Sequence, residues 1–239
     1  MGRVVPDISV VILCYRAGRT AEDFVRRVTA ALNQETANWE AVLVANYLKG
    51  VPDETPRVVQ RLAAGDLRIK AVSLVKEGMM GWDARSGLNR ATGRTIALID
   101  GDGQMPAEDL IRVYRRLAGG GLDMVKTYRQ RRDDGFLRRA NSAVYNIVFR
   151  ILFPGFKVRD VNSKPKILTR EFYEKLDLRS NDWFLDAEIV IQARRLGCRI
   201  AEVPTVFLES RTRPSFIRVR HLFEFLKNLS LARVREFRR

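Results

Sequence analysis

Residues Thr95-Ile96-Ala97-Leu98-Ile99-Asp100-Gly101-Asp102-Gly103-Gln104-Met105-Pro106 set the pattern for the whole chain. An apolar run of strand length ends in two carboxylates one glycine apart, followed by a carboxamide and a proline. A sheet presents oxygen ligands at its rim in this way. On an extended chain Asp100 and Asp102 point to one side, and Gly101 and Gly103 permit the turn that brings both onto one hard cation. Mg²⁺ or Mn²⁺ suits such a pair, held by one or two carboxylates together with substrate phosphates. An acidic surface turn is the alternative, because Asp and Gly are common turn residues. The buried-type strand before the pair and the helix start at Pro106-Ala107-Glu108-Asp109 favour the metal site.

Working outward, the same alternation of strand and helix recurs. The β-branched run at 8–13 reads as a buried strand of a mostly parallel sheet. Residues 20–32 have helical spacing, 39–45 form a second strand and 55–64 a second helix. A third strand at 68–75 and a helix at 81–91 lead into the strand that ends at Asp100. Such alternation predicts a doubly wound α/β sheet whose ligands lie beyond the carboxyl ends of the strands.

Downstream, 109–117 reads as a helix and 123–128 as a strand. Residues 136–153 make a helix that is apolar over more than one face, either a core helix or one resting on lipid. A polar turn from Asp160 to Lys166 precedes a short strand at 167–169 and a helix from Arg170. A long helix opens at Trp183, and 199–206 reads as a strand pair interrupted at Pro204. From Ser215 a basic amphipathic helix follows, with Phe216, Val219, Phe223, Leu226, Leu229 and Val234 among arginines. The expected organisation is an α/β domain at 1–214 and a basic amphipathic C-terminal helix at 215–239.

The 239 residues are 46% hydrophobic and 30% charged, a globular composition with length enough for one α/β domain and a short appendage. Two cysteines, Cys14 and Cys198, form no metal spacing or disulfide framework, which fits a reducing cytoplasm. The N-terminus carries no signal-peptide pattern, and no run approaches the roughly 18 apolar residues of a membrane span, so membrane contact is expected at the surface only. A net charge of +15 favours anionic partners: nucleic acid, anionic lipid or a phosphorylated substrate. No nucleic-acid-binding motif accompanies the charge, and no nucleic acid is expected. The only histidine, His221, lies on the basic tail and reads as a surface residue.

Three segments together resemble the family 2 glycosyltransferases of GT-A fold: Ile8-Ser9-Val10-Val11-Ile12, the helix closing at Ala91-Thr92-Gly93, and Asp100 to Pro106. Arg138 with Ser142, the segment from Asp160 to Lys166, Ile200-Ala201-Glu202-Val203-Pro204, and then Arg211 and Ser215 look like the dolichyl-phosphate mannose synthase and polyprenyl-phosphate sugar transferase branch. The resemblance covers about residues 7 to 216.

It implies an inverting transfer from a nucleotide-sugar donor to a polyprenyl phosphate, with Asp100, Asp102 and Gln104 holding Mg²⁺ or Mn²⁺ on the donor diphosphate. Arg129, Arg138, Ser142 and Arg211 would receive phosphate oxygens, with Ser215 beside them. Lys164 and Lys166 are further candidates, although the family more often has glycine at position 164. Asp186 and Glu188 sit where the family places an acidic pair near the acceptor; charge stabilisation of a helix N-terminus is the alternative. The implied location is the cytoplasmic face of a membrane, peripherally bound to an anionic surface, with a membrane partner subunit possible.

The chain departs from the family in two places. The turn after the first strand is Leu13-Cys14-Tyr15-Arg16-Ala17-Gly18, and the usual base-reading Asp-Asp pair is replaced by Val44-Ala45-Asn46-Tyr47. Asn46 can still hydrogen-bond a base, but it carries no charge. A soluble or polymeric acceptor, or a non-catalytic basic binding module, are the alternatives left open.

Overall fold

The run ISVVIL folds as β1 (Ile8–Leu13) and is buried at every position, so both of its faces are covered. β2 (Trp39–Val44) is likewise buried throughout and pairs parallel to β1 in register. The computed structural model describes residues 4–132, 136–155, 158–208 and 219–237. Between β1 and β2 lies α1 (Arg19–Glu35), and α2 (Thr55–Gly65) leads to the short edge strand β3 (Ile69–Val72). α3 (Met80–Leu88) returns to β4 (Thr95–Asp100), which pairs parallel to β1 on its other side. The chain continues through α4 (Glu108–Ala118), β5 (Met124–Arg132), α5 (Phe136–Leu152), β6 (Lys166–Thr169), α6 (Arg170–Tyr173), α7 (Leu185–Arg195), β7 (Ile200–Phe207) and α8 (Val219–Phe237).

The seven strands lie in the order β3-β2-β1-β4-β6-β5-β7. All are parallel except β6, which runs antiparallel to both β4 and β5. Alternate residues feed two cores. Ile8, Val10, Ile12, Ala97 and Ile99 pack with α1 and α4 on one face; Val11, Leu13, Ile96 and Leu98 pack with α3 and α7 on the other. A fully buried Phe24 on α1 contributes on the order of 2 kcal/mol by this burial. The expected doubly wound GT-A sheet is therefore present.

Strand boundaries differ from expectation: β5, expected at 123–128, runs on to Arg132. β3 stops at Val72, and the sheet resumes only as a bridge between Tyr47 and Val75. The expected strand pair at 199–206 is one continuous strand, β7, running through Pro204 opposite Tyr128. β7 is the edge of the sheet, where a missing backbone N–H costs no ladder bond.

A third cluster joins α5, α7 and α8: Tyr145, Phe149 and Phe153 pack with Ala187, Val190 and a fully buried Leu229. Asn228 donates to Asp182 at 2.7 Å, so the described part of α8 is docked on the domain. The opposite side of α5 is open, with Val144, Ile147 and Ile151 exposed. Among the described residues, no helix is long and apolar enough to cross a membrane.

Candidate active site

β4 delivers Asp100 to the carboxyl rim beside Leu13, its partner on β1. The turn there is tight: Gly101 N donates to Leu13 O at 2.9 Å, and a Cβ on Gly101 would lie 3.0 Å from that same oxygen. Gly103 has φ +73°, which glycine adopts without strain. Asp102 then accepts from Gln104 N at 3.0 Å, and Gln104 Nε2 donates to Leu208 O at 3.1 Å. Leu208 N donates back to Gln104 O at 2.9 Å, so the end of β7 braces the turn.

Because β6 runs against β4, its first residues arrive at the rim where β4 ends. Leu98 faces Lys166 in register, and Lys164 lies two residues further on. Lys164 Nζ sits 3.0 and 3.3 Å from the two oxygens of Asp100 and 3.2 Å from Asp186. Lys166 Nζ is 2.6 Å from the other oxygen of Asp186 and donates to Ser163 O at 2.9 Å. Burial alone would lower Lys164, but the carboxylates of Asp100 and Asp186 outweigh it and hold the ammonium above its ordinary value. For Lys166 burial wins, reinforced by the Lys126 and Lys164 charges, and its value falls to about 8. Burial works to raise Asp186, and the two lysines more than reverse it.

The same rim carries a second set. Arg129 closes on Asp160 with Nε at 2.5 Å and Nη2 at 2.8 Å. Lys126, wholly buried on β5, donates to the carbonyls of Thr127 and Asp160 and to Glu202 at 3.2 Å. Burial would raise Asp160, but Arg129, Lys126 and Lys166 hold it well below the usual carboxylate range. Four cations, Lys126, Arg129, Lys164 and Lys166, thus meet four carboxylates, Asp100, Asp160, Asp186 and Glu202.

Asn46 is fully buried beyond β2. Its Nδ2 donates to Asp83 at 3.0 Å and Ser86 at 2.9 Å, and its Oδ1 accepts from Leu74 N at 2.9 Å. Asp83 pairs with Lys76, itself lying over the Tyr15 ring at 4.2 Å. Burial pushes Asp83 up and Lys76 down, each opposed by the partner's charge. Asn46 thus ties β2, the 74–76 segment and α3 together.

Glu188 accepts from Arg179 N and Ser180 N at 3.0 and 2.9 Å, tying the loop before α7 to that helix. The structure therefore gathers Asp100, Lys164, Lys166 and Asp186 with Arg129 nearby on β5, and sets Asn46 and Glu188 into supporting contacts. Arg211 and Ser215 lie outside the described residues, as do the side chains of Arg138, Ser142 and His221. Sequence reasoning leaves out Lys126, Lys76 and Asp83. A lysine inside the apolar strand Met124-Val125-Lys126 was a visible sign of an inward charge; nothing local marks Asp83.

Among the described residues no group of three or more His, Cys, Asp or Glu could by itself cage a metal. Asp100, a third exposed, and Asp102 suit a cation that keeps water and phosphate ligands, as Mg²⁺ and Mn²⁺ do. The donor set fits such a metal.

A mostly parallel sheet whose fourth strand ends in this aspartate turn is the arrangement expected of the GT-A fold. Residues 9–177 match the family described as Glycosyl transferase family 2, and the chain belongs to that family. It is 32% identical over 204 residues to "Glycosyltransferase AglD" of Haloferax volcanii, covering 83% of this chain and 32% of that protein. It is 27% identical over 148 residues to "Undecaprenyl-phosphate 4-deoxy-4-formamido-L-arabinose transferase" of Salmonella enteritidis, covering 61% of this chain and 44% of that protein. The chain thus spans less than half the length of either relative. In fold it is similar to glucosyl-3-phosphoglycerate synthase of Mycobacterium tuberculosis, solved with Mn²⁺, UDP and phosphoglyceric acid. The TM-score is 0.70 at 19% identity, over 95% of this chain and 77% of that one.

Proposed function

We propose that this glycosyltransferase moves a sugar from a nucleotide-sugar donor to a polyprenyl phosphate at the cytoplasmic face of a membrane, with inversion at the anomeric carbon. The observation that carries the reading is the rim itself: the Asp100 turn beside Arg129, Lys164 and Lys166, each held by a carboxylate, with the exposed apolar face of α5 on the same domain. The Salmonella relatives, by their name, act on undecaprenyl phosphate, which supports this acceptor class.

Asp100 and Asp102, with the Gln104 carboxamide, would hold a divalent cation, which when bound supplies positive charge to the departing diphosphate. Arg129, braced by Asp160, joins Arg138, Arg211, Ser142 and Ser215 in receiving acceptor phosphate oxygens. Lys164 and Lys166 add positive charge at the same rim, and Asn46 fixes the floor beneath the nucleotide. A phosphate monoester with a second pKa of about 6 is already largely ionised near neutrality, so no strong general base is required. The phosphate oxygen bonds to the anomeric carbon as the bond to the nucleoside diphosphate breaks. Positioning and electrostatics supply the catalysis.

Val144, Ile147 and Ile151 on α5 and Leu231 and Val234 on α8 are the apolar groups offered to lipid, among Arg150, Lys227 and Arg233. The division into a transfer domain at 1–214 and a lipid-facing helix at 215–239, and a membrane-spanning partner, belong to the same reading. The test is incubation with Mn²⁺, a panel of nucleotide sugars and either a short polyprenyl phosphate or soluble phosphorylated acceptors. Transfer to the polyprenyl phosphate alone is expected; preferential transfer to a soluble acceptor overturns the reading.

A further inference from the structure

Lys164 lies against the Asp100 turn. Its ammonium faces both oxygens of Asp100, at 3.0 and 3.3 Å, and at the same time reaches Asp186 at 3.2 Å. Both Lys164 and Asp186 are almost wholly enclosed, with side chains 4% exposed, whereas Asp100 is 35% exposed. Asp100 is thus open to solvent on one side and neutralised from the protein side on the other.

The backbone behind this ammonium is pinned. Thr127 Oγ1 donates to Lys164 O at 2.7 Å and shares a hydrogen bond with Ser163 Oγ, also at 2.7 Å. Any change at Lys164 therefore falls on its side chain. That side chain has a second anchor, since Asp186 stays beside it whether or not Asp100 does. Asp186 is itself kept in place by Lys166 at 2.6 Å.

We infer that Lys164 is a built-in counter-ion for Asp100 that competes with the divalent cation, leaving Asp100 for Asp186 when a metal binds. The ammonium and a divalent cation both require the same carboxylate, and two cations drawn to one carboxylate repel each other. Metal alone therefore binds weakly, and the donor's diphosphate, which can take up the released positive charge, binds together with it. Lys164 is in this sense a positioning residue that makes metal and donor enter as a pair. The inference rests on the proposed metal role of Asp100.

The test is Mn²⁺ binding to the whole chain, without and with UDP, read from the free Mn²⁺ signal in electron paramagnetic resonance. Wild type is expected to bind Mn²⁺ weakly without nucleotide, and Asp100→Asn to abolish that binding. Lys164→Ala and Lys164→Gln are expected to tighten Mn²⁺ binding without nucleotide roughly tenfold, by removing the competing charge. Gln keeps most of the side chain's bulk and its ability to donate a hydrogen bond, so a packing defect in the Ala variant does not decide the outcome. Asp186→Asn removes the second anchor, leaves the ammonium wholly on Asp100, and is expected to weaken Mn²⁺ binding several-fold. Shifts of opposite sign from neighbouring substitutions are not what a merely structural role produces.

Asp100-dependent binding in wild type that is unchanged or weaker in both Lys164 variants overturns this inference and leaves the metal reading standing. Absence of Asp100-dependent binding in every variant, with UDP present, overturns both.

Discussion

Arg129 and Asp160 face each other at the end of β5 as a bidentate pair, Nε to Oδ2 at 2.5 Å and Nη2 to Oδ1 at 2.8 Å. Their side chains are only 11% and 8% exposed, and the Asp160 carboxylate also accepts from Asn162 N at 3.2 Å. Removing one partner of a buried pair leaves an uncompensated charge. Asp160→Ala is therefore expected to destabilise the protein by about 3–5 kcal/mol in urea unfolding. Replacing Arg129 and Asp160 together by apolar residues recovers much of that loss; a double variant as unstable as the single one would rule out the charge as cause.

Acid stability follows from the same carboxylates. Asp160 and Asp186 are both held below their unfolded values, burial notwithstanding, by the surrounding cations. A depressed folded value means that the stabilisation is complete above the unfolded pKa, about 3.9, and is lost as pH falls below it toward the folded value. Urea midpoints are expected to be flat from neutrality to about pH 5 and then to fall, with a shallower fall for Asp160→Asn. Parallel acid profiles for the two proteins would refute the assignment.

Asp100→Asn and Asp102→Asn are expected to lower kcat/KM of the proposed transfer, assayed with Mn²⁺, by about 10²-fold or more, the usual scale for losing a charge-stabilising group. Asp100 is partly exposed and Lys164 retains Asp186, so the melting temperature of Asp100→Asn should change little. Full turnover with either variant would remove that residue from the proposed metal role.

Glycine positions give a paired test of packing. A Cβ on Gly87 of α3 would lie 2.5 Å from Val11 and 2.6 Å from Val44, both on the buried strands. Gly87→Ala is expected to cost about 1–3 kcal/mol, because overpacking pushes α3 off β1 and β2. Gly65, at the end of α2, has nothing within 4 Å of such a Cβ. Gly65→Ala should therefore be neutral or stabilising by up to about 1 kcal/mol in the same denaturation experiment.

The exposed side of α5 tests the membrane reading. Ile147 and Ile151 are 54% and 72% exposed, so Ile147→Asp with Ile151→Asp should leave stability within about 1 kcal/mol. Co-sedimentation with anionic vesicles is expected to fall in that variant, and equal sedimentation would place the lipid contact elsewhere.

β1, β2 and β4 were legible because each is short and mostly apolar, and the aspartate turn because two glycines flank a carboxylate at the end of one of them. Boundaries were less so: Pro204 looked like an interruption until β7 proved to be an edge strand. Asn46 was readable as a polar group at the end of β2, but its engagement with Asp83, 37 residues away, was not.

By itself, then, the sequence determined the α/β alternation and the Asp100-Gly101-Asp102 turn, which depend on hydrophobic period and short spacing, while its motifs carried the resemblance to the transferase family. Only the tertiary structure decided that β6 runs against its neighbours, carrying Lys164 and Lys166 back to the end of β4. Only it decided that these lysines meet Asp100, 64 residues distant, and Asp186, 20 residues beyond Lys166. Buried charges are matched across the fold, wherever topology brings opposite signs together, and no local spacing in the chain records that match.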